Sequence, residues 1–286
     1  YVGGPNRHDL YRNNKEVFLD GQYFPDLMVQ EAKQVIEKKS EKPFFIFFSM
    51  NTPHYPYQGY AKWIQYYREK GVASPRDLYA AFLTTQDEKI GELIALLEEN
   101  DLREDTIIIF QSDNGHSTET RAYHGGGYTG LFRGAKQCLF EGGIRVPASI
   151  SWPGKIPANQ FRDQMSVNVD WMPTLIELCD FNTDTSKMDG QSLMPIINNK
   201  KAPSNHEEGY CWEFIRRGVP TWVARKGKWK LYANPYDTSR RDYTYSEKFV
   251  LFDLENDPGE SFNLYDKEPQ VVAELKTLYK TWKNKQ

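Results

Sequence analysis

Two short segments carry side chains able to do chemistry. Ser112-Asp113-Asn114-Gly115-His116 follows directly on the apolar run Ile107–Phe110, and Asn51-Thr52-Pro53-His54-Tyr55-Pro56 follows the run Phe44–Phe48. Each is placed where a loop leaves the carboxyl end of a buried strand, and open parallel sheets bind ligands there. Asp113 and Asn114 offer a carboxylate and an amide oxygen side by side, donors suited to a hard cation such as calcium or magnesium. Two ligands are too few for either ion, so others must come from elsewhere. A tight turn also accounts for Asp-Asn-Gly without any ion. His54 lies between two prolines that fix the local backbone. In isolation it reads as a loop histidine stacked on aromatics.

His116 and His124 flank a glycine-rich stretch, Gly125-Gly126-Gly127-Tyr128-Thr129-Gly130. Backbone amides in such a loop can approach an anion, although flexible linkage is an equally plain account. Arg133 and Lys136 follow and bring positive charge near that loop, as an oxyanion substrate requires. Solvated surface charge is the alternative.

The elements that must position these residues are legible from periodicity. Apolar residues recur at helical spacing from Arg76 to Glu99, and the strand-like runs Phe44–Phe48 and Thr106–Phe110 bracket that helix. Strand, helix, strand predicts a βαβ unit with parallel strands. Further helices are predicted from about Asp26, as a cap, to Lys38, and over Asp170–Cys179 and Gln270–Trp282. Strands are predicted over Pro147–Trp152, Gly209–Ile215, Thr221–Ala224, Trp229–Tyr232 and Phe249–Leu254. Residues 200–205 read as a linker. The expectation is a main α/β domain over residues 1–199 and a small α+β subdomain, an antiparallel sheet plus a helix, over residues 200–286.

Bulk properties narrow the class. The 286 residues are 39% hydrophobic and 14% aromatic, enough for a sizeable core. A formal charge of −3 argues against a nucleic-acid partner. Three cysteines at irregular spacing, Cys138, Cys179 and Cys211, form neither a disulfide framework nor a zinc ribbon. No apolar run reaches the ~20 residues of a membrane span, and no signal peptide opens the chain. Tyr1, without an initiator methionine, reads as a processed or truncated end.

Taken together the motifs point further than any one alone. Thr-Pro-His-Tyr-Pro (52–56), Ser-Asp-Asn-Gly-His (112–116), Arg-Gly-Ala-Lys (133–136) and Phe-Glu-Gly-Gly-Ile-Arg-Val-Pro (140–147) stand in the order seen in the formylglycine-dependent sulfatases of the alkaline-phosphatase superfamily. The chain resembles that family from about Asp9 to its end. Trp152–Ile156, Pro173–Leu175, Asp189–Leu193, Trp229-Lys230-Leu231 and Leu251–Glu260 add to the resemblance. It implies an alkaline-phosphatase-like, mostly parallel sheet sandwiched by helices. It also implies hydrolysis of a sulfate monoester, with a sulfated saccharide as substrate and a periplasmic or secreted location.

The resemblance implies roles as well. Asp113 and Asn114 match the family's calcium-binding pair. Lys136 matches the lysine that contacts the sulfate, and His54 the histidine that hydrogen-bonds the sulfate or protonates the departing oxygen. His116 and His124 match no family-wide catalytic position and are expected at most to contact the sugar, with Arg133 as a further candidate. Aromatic and charged segments at Tyr55–Trp63 and Glu213–Arg217 are candidates to line a saccharide subsite. The family's signature, Cys or Ser, any residue, Pro, a variable residue, then Arg, fits none of the three cysteines. The paired aspartates of the family's first strand are also missing. Both would belong to a complementary N-terminal segment of the same protein. The rival readings are a phosphodiesterase or phosphonate hydrolase of the same superfamily, and a non-catalytic carbohydrate-binding paralogue.

Overall fold

The structure is a computed structural model that describes residues 2–3, 7–38, 40–216, 218–240 and 247–285. The chain forms two compact units, one of residues 1–106 with 119–127 and the other of residues 107–118 with 128–286. Residues 200–205 are tied down, with Gln164 donating to the carbonyls of Lys200 and Ala202 (both 2.8 Å) and Ser204 Oγ to that of Met165 (2.7 Å). A polar composition resembles a linker, but here it supplies hydrogen bonds.

In the first unit two short antiparallel hairpins, β1 (Val2–Gly3) with β2 (Arg7–His8) and β3 (Tyr11–Arg12) with β4 (Lys15–Glu16), precede three helices. These are α1 (Phe24–Ile36), α2 (Ala61–Glu69) and α3 (Arg76–Glu99). Helix α3 packs against both others, burying Ala81, Phe82, Leu96 and Leu97. Asp26 does not cap α1, whose N-cap is Tyr23 with Pro25 in the first turn. Pro fits there because the first-turn amides have no helical partner. Asp26 instead accepts from Tyr60 Oη (2.5 Å) and Lys89 Nζ (2.7 Å). Segment 44–48 pairs with no strand among the described residues, and Phe45 and Phe47 stand exposed. The expectation of a buried strand fails there because an apolar run specifies burial only where a neighbouring strand and covering layers are present.

The second unit contains β5 (Ile108–Gln111), α4 (Glu141–Ile144), β6 (Ala148–Ser151), α5 (Trp171–Leu178) and α6 (Met194–Asn198). After these come β7 (Tyr210–Arg216), β8 (Val219–Lys226), β9 (Trp229–Ala233), β10 (Phe249–Asp253) and α7 (Pro269–Lys283). The predicted parallel pairing is not found among the described residues. The neighbour of β5 is β6, antiparallel, with Ile109 opposite Ile150. The C-terminal sheet runs β10-β9-β8-β7, antiparallel throughout, as its closely spaced strands foretold.

Successive strand residues face opposite sides. Val223, Tyr232, Val250 and Phe252 turn one face toward Cys138, Leu139 and Phe140, while Ala224, Leu231, Ala233 and Leu251 turn the other toward Val272 and Leu275. Trp222 stacks flat on Tyr279 of α7, ring centroids 3.8 Å apart. Leu275 is 1% exposed. Leu275→Ala is expected to cost about 2–5 kcal/mol, the range for deleting a buried leucine side chain, read as a lowered midpoint in denaturant titration. A loss under about 0.5 kcal/mol would show that α7 does not hold the sheet.

Candidate active site

The site residues of the second unit lie on two loops pressed against α4. Ser112 to Gly115 leaves β5. The Ser112 amide donates to Pro147 O (3.1 Å) and the Gly115 amide to Gly143 O (2.9 Å). A Cβ on Gly115 would stand 2.0 Å from the carbonyl oxygen of Gly142, so only glycine allows this approach. The second loop, residues 133–138, lies against the same turn. Gly142 N donates to Arg133 O (2.6 Å), and a Cβ on Gly143 would meet Cys138 O at 2.3 Å and Ala135 O at 2.6 Å. The two loops are also joined directly, Lys136 N donating to His116 O (2.9 Å). The loop of Asp113, Asn114 and His116 and the loop of Lys136 are therefore held side by side.

Their side chains are differently placed. Asp113 is exposed and Lys136 half-buried, and among the described residues neither forms an ion pair. The Asn114 amide nitrogen donates to Gly115 O (2.9 Å), so its oxygen is the atom that could ligate a cation. Such a donor pair suits a hard cation. Among the described residues, however, no group of three or more His, Cys, Asp or Glu could hold a metal ion. The donor types fit calcium; their number does not fill its coordination shell of about six to eight oxygens.

Arg133, expected as an anion contact, is engaged within the fold. Its side chain is 9% exposed, Nε donates to Asp237 (2.7 Å) and Nη1 to Glu260 O (2.8 Å), and the guanidinium lies 4.4 Å from the Phe140 ring centroid. A buried guanidinium must be paired, and here Nε and Nη1 are paired inside the fold.

His54 and His124 belong to the first unit. The His54 ring is exposed and stacks on Tyr55, and its Nδ1–H donates to Tyr55 O (2.7 Å), leaving Nε2 outward. Tyr55 Oη donates to Glu119, Arg121 lies 5.6 Å from the Tyr55 ring, and Tyr57 faces Tyr123. The loop bearing His124 is thereby joined to the loop bearing His54. Tyr123 (φ 52°) and His124 (φ 65°) are left-handed in succession, a costly arrangement for residues other than glycine. Arg76 helps hold it, donating to Gly126 O (2.7 Å). The segments expected to line a saccharide subsite are largely committed internally. Trp63 donates to Glu88 (2.7 Å), and Glu213 accepts from Tyr279 and from Lys283 (2.5 Å). Arg217 lies outside the described residues.

The sequence profile of the family described as Sulfatase matches residues 1–181, and the one described as N-sulphoglucosamine sulphohydrolase, C-terminal, matches residues 127–285. The chain belongs to the sulfatase family. It is similar to human Arylsulfatase A, 30% identical over 88% of this chain and 50% of that one, and to human Steryl-sulfatase, 33% identical over 87% of this chain and 45% of that one. This sulfatase chain thus spans about half the length of the curated relatives it matches. A crystal structure described as Ps i-CgsB in complex with k-i-k-neocarrahexaose superposes with a TM-score of 0.81 at 24% identity, covering 94% of this chain and 56% of that one. The fold is accordingly the α/β fold of the sulfatases, with a small antiparallel C-terminal sheet and a terminal helix. Among the described residues no helix is long and apolar enough to cross a membrane.

Beneath α4 lies a cluster that reading the sequence missed. Lys230, fully buried on β9, reaches Glu141 (2.9 Å) and Glu260 (2.8 Å). The signal was present: a lysine inside the apolar run Trp229–Ala233 needs a carboxylate partner. Burial opposes the charge on Lys230, but the two carboxylates outweigh it and raise its pKa. Burial also opposes ionisation of Glu141, yet Lys230, Arg225 and Arg145 prevail and lower its pKa.

Glu260 differs, because burial pushes its carboxyl up to about 7 against the pull of Lys230. A carboxyl raised on folding takes up a proton on folding. Its stabilising contribution is fully present below about 4.5 and is lost as pH rises through about 7. The lowered Glu141 acts with the opposite sign and below that window. The wild-type chain is therefore expected to lose thermal stability relative to Glu260→Gln as pH rises from about 5 to about 8. Parallel melting curves across that range would show that Glu260 does not titrate there.

Proposed function

We propose that this chain supplies part of the active site of a calcium- and formylglycine-dependent sulfatase that hydrolyses sulfate monoesters of a carbohydrate. The observation that carries the reading is the juxtaposition, within one unit, of Asp113 and Lys136 on loops tied by the hydrogen bond from Lys136 N to His116 O. Among the described residues neither Asp113, which is exposed, nor Lys136, which is half-buried, forms an ion pair within the fold. A cation and a sulfate group are what a carboxylate–amide pair and a neighbouring ammonium would jointly take.

Asp113 and Asn114 would hold the calcium through one carboxylate and one amide oxygen, the remaining ligands coming from a complementary N-terminal segment of the same protein. When bound, calcium would supply positive charge beside the sulfate, and a formylglycine hydrate would supply a nucleophilic oxygen. Lys136 Nζ binds a sulfate oxygen and stabilises the charge that gathers there during transfer. His54 Nε2 hands a proton to the departing alcohol oxygen, its ring held by the Nδ1–H bond to Tyr55 O. His116 and His124 contact the sugar. The fold neighbour with bound neocarrahexaose supports a saccharide substrate, and a periplasmic or secreted location is proposed with it.

Two measurements test this. In the complete, formylglycine-bearing enzyme, Lys136→Ala is expected to lower kcat on an aryl sulfate by about 10²–10³. His116→Ala should act mainly on KM for the sugar substrate. Equal losses of kcat in the two variants would place His116 at the reacting atoms and refute the division of roles. The 286-residue chain by itself is expected to show no turnover, since no Cys or Ser in it fits the nucleophile signature. Turnover that survives removal of contaminating sulfatases would refute that expectation.

A further inference from the structure

Three of the motifs have no part in the chemistry just described: Phe140-Glu141-Gly142-Gly143, Trp229-Lys230-Leu231 and Pro258-Gly259-Glu260. Their charged members meet at one point, with Lys230 Nζ 2.9 Å from Glu141 and 2.8 Å from Glu260. Glu260 Oε2 accepts the Glu141 amide at 2.6 Å. All three side chains are at most 2% exposed. We infer that the Glu141–Lys230–Glu260 triad positions the Asp113–Asn114 loop and the Lys136 loop for the reaction, a role that rests on the function proposed above.

Helix α4 is a single short turn. It has four residues, far too few to hold a helical turn by its own hydrogen bonds. Its place must come from outside. Glu260 takes its first amide, Lys230 takes the Glu141 carboxylate, and Arg133 O takes the Gly142 amide. Arg225 and Arg145, 3.5 and 3.8 Å from Glu141 Oε2, complete the charges facing that carboxylate. Glu260 is fixed in turn, left-handed at φ 51°, with its carbonyl bonded by Arg133, itself held by Asp237.

What α4 then holds are the two site loops. Gly143 O bonds the Gly115 amide, one residue beyond Asn114, while Gly142 and Gly143 press on Arg133, Gly134, Ala135 and Cys138, the loop of Lys136. No slack separates these backbones, so displacement of α4 displaces both loops. Stability alone would not call for such a triad. Taking ions out of water costs several kcal/mol per ion, and apolar residues of similar volume often serve as well. Directed bonds to a backbone amide and two carboxylates fix an orientation, which an apolar trio would not.

The test uses the complete enzyme with Glu260→Gln and the uncharged triple variant Glu141→Gln/Lys230→Met/Glu260→Gln. Hydrogen–deuterium exchange is followed in peptides covering residues 112–118 and 133–143, with α7 as reference, alongside kcat and KM on an aryl sulfate. The inference expects a cooperative melt and about tenfold faster exchange in those two peptides only. It also expects a fall of about 10- to 100-fold in kcat with KM changed less than about threefold. Unchanged exchange overturns it, as does faster exchange with wild-type kcat. If the triple variant fails to fold, Glu260→Gln, which keeps the Lys230–Glu141 pair, decides by the same criteria. A wild type that turns over no sulfate ester defeats the proposed function instead, and exchange alone then decides whether the triad anchors the loops.

Discussion

A lysine with no exposed surface, set between two carboxylates, is the constraint around which the second unit is arranged. Strand alternation turns Lys230 and Tyr232 toward the face that carries Phe140 and α4, so the ammonium cannot reach water without breaking the sheet. Its partners must come to it, Glu141 from a one-turn helix and Glu260 from the loop after β10. Segments more than a hundred residues apart are thus fixed at one point, as the amide of Glu141 on the carboxylate of Glu260 shows most directly. Phe140 packs edge-on against Tyr232 of the same sheet face, ring centroids 4.8 Å apart.

The two units contribute different chemistry. The second presents charge on rigid backbone: an exposed carboxylate, an oriented amide oxygen and a half-buried ammonium. The first presents rings, with His54 on Tyr55, Tyr57 between Tyr79 and Tyr123, and His124 on a left-handed loop. The glycine-rich stretch that follows His124 is not a free hinge throughout, because Gly126 is buried against Tyr79 and Pro75 of the α3 entrance.

The elements with strong periodicity were legible in the sequence. The long helix α3, the four C-terminal strands and α7 fall close to the predicted segments. Partnership was less legible than identity. The sequence shows that Phe44–Phe48 is apolar but not what pairs with it. It shows that Arg133 is cationic but not that Asp237, 104 residues on, consumes its charge. The same holds for Lys230, which an apolar strand pattern marks as anomalous without naming Glu141 or Glu260. Asp113, Asn114 and Lys136 emerged from motif order, and their proximity through α4 rests on glycine contacts that no spacing rule encodes.

The glycine contacts at α4 have a consequence for how such a chain can diverge. Positions 115, 142 and 143 admit no side chain, because each would place a carbon within about 2.4 Å of backbone oxygen. Mutational drift is therefore closed to the frame that carries Asp113 and Lys136. It remains open at Tyr123, His124 and Tyr128, whose side chains are exposed. New specificities would accumulate on those side chains, while the frame passes unchanged from one descendant to the next.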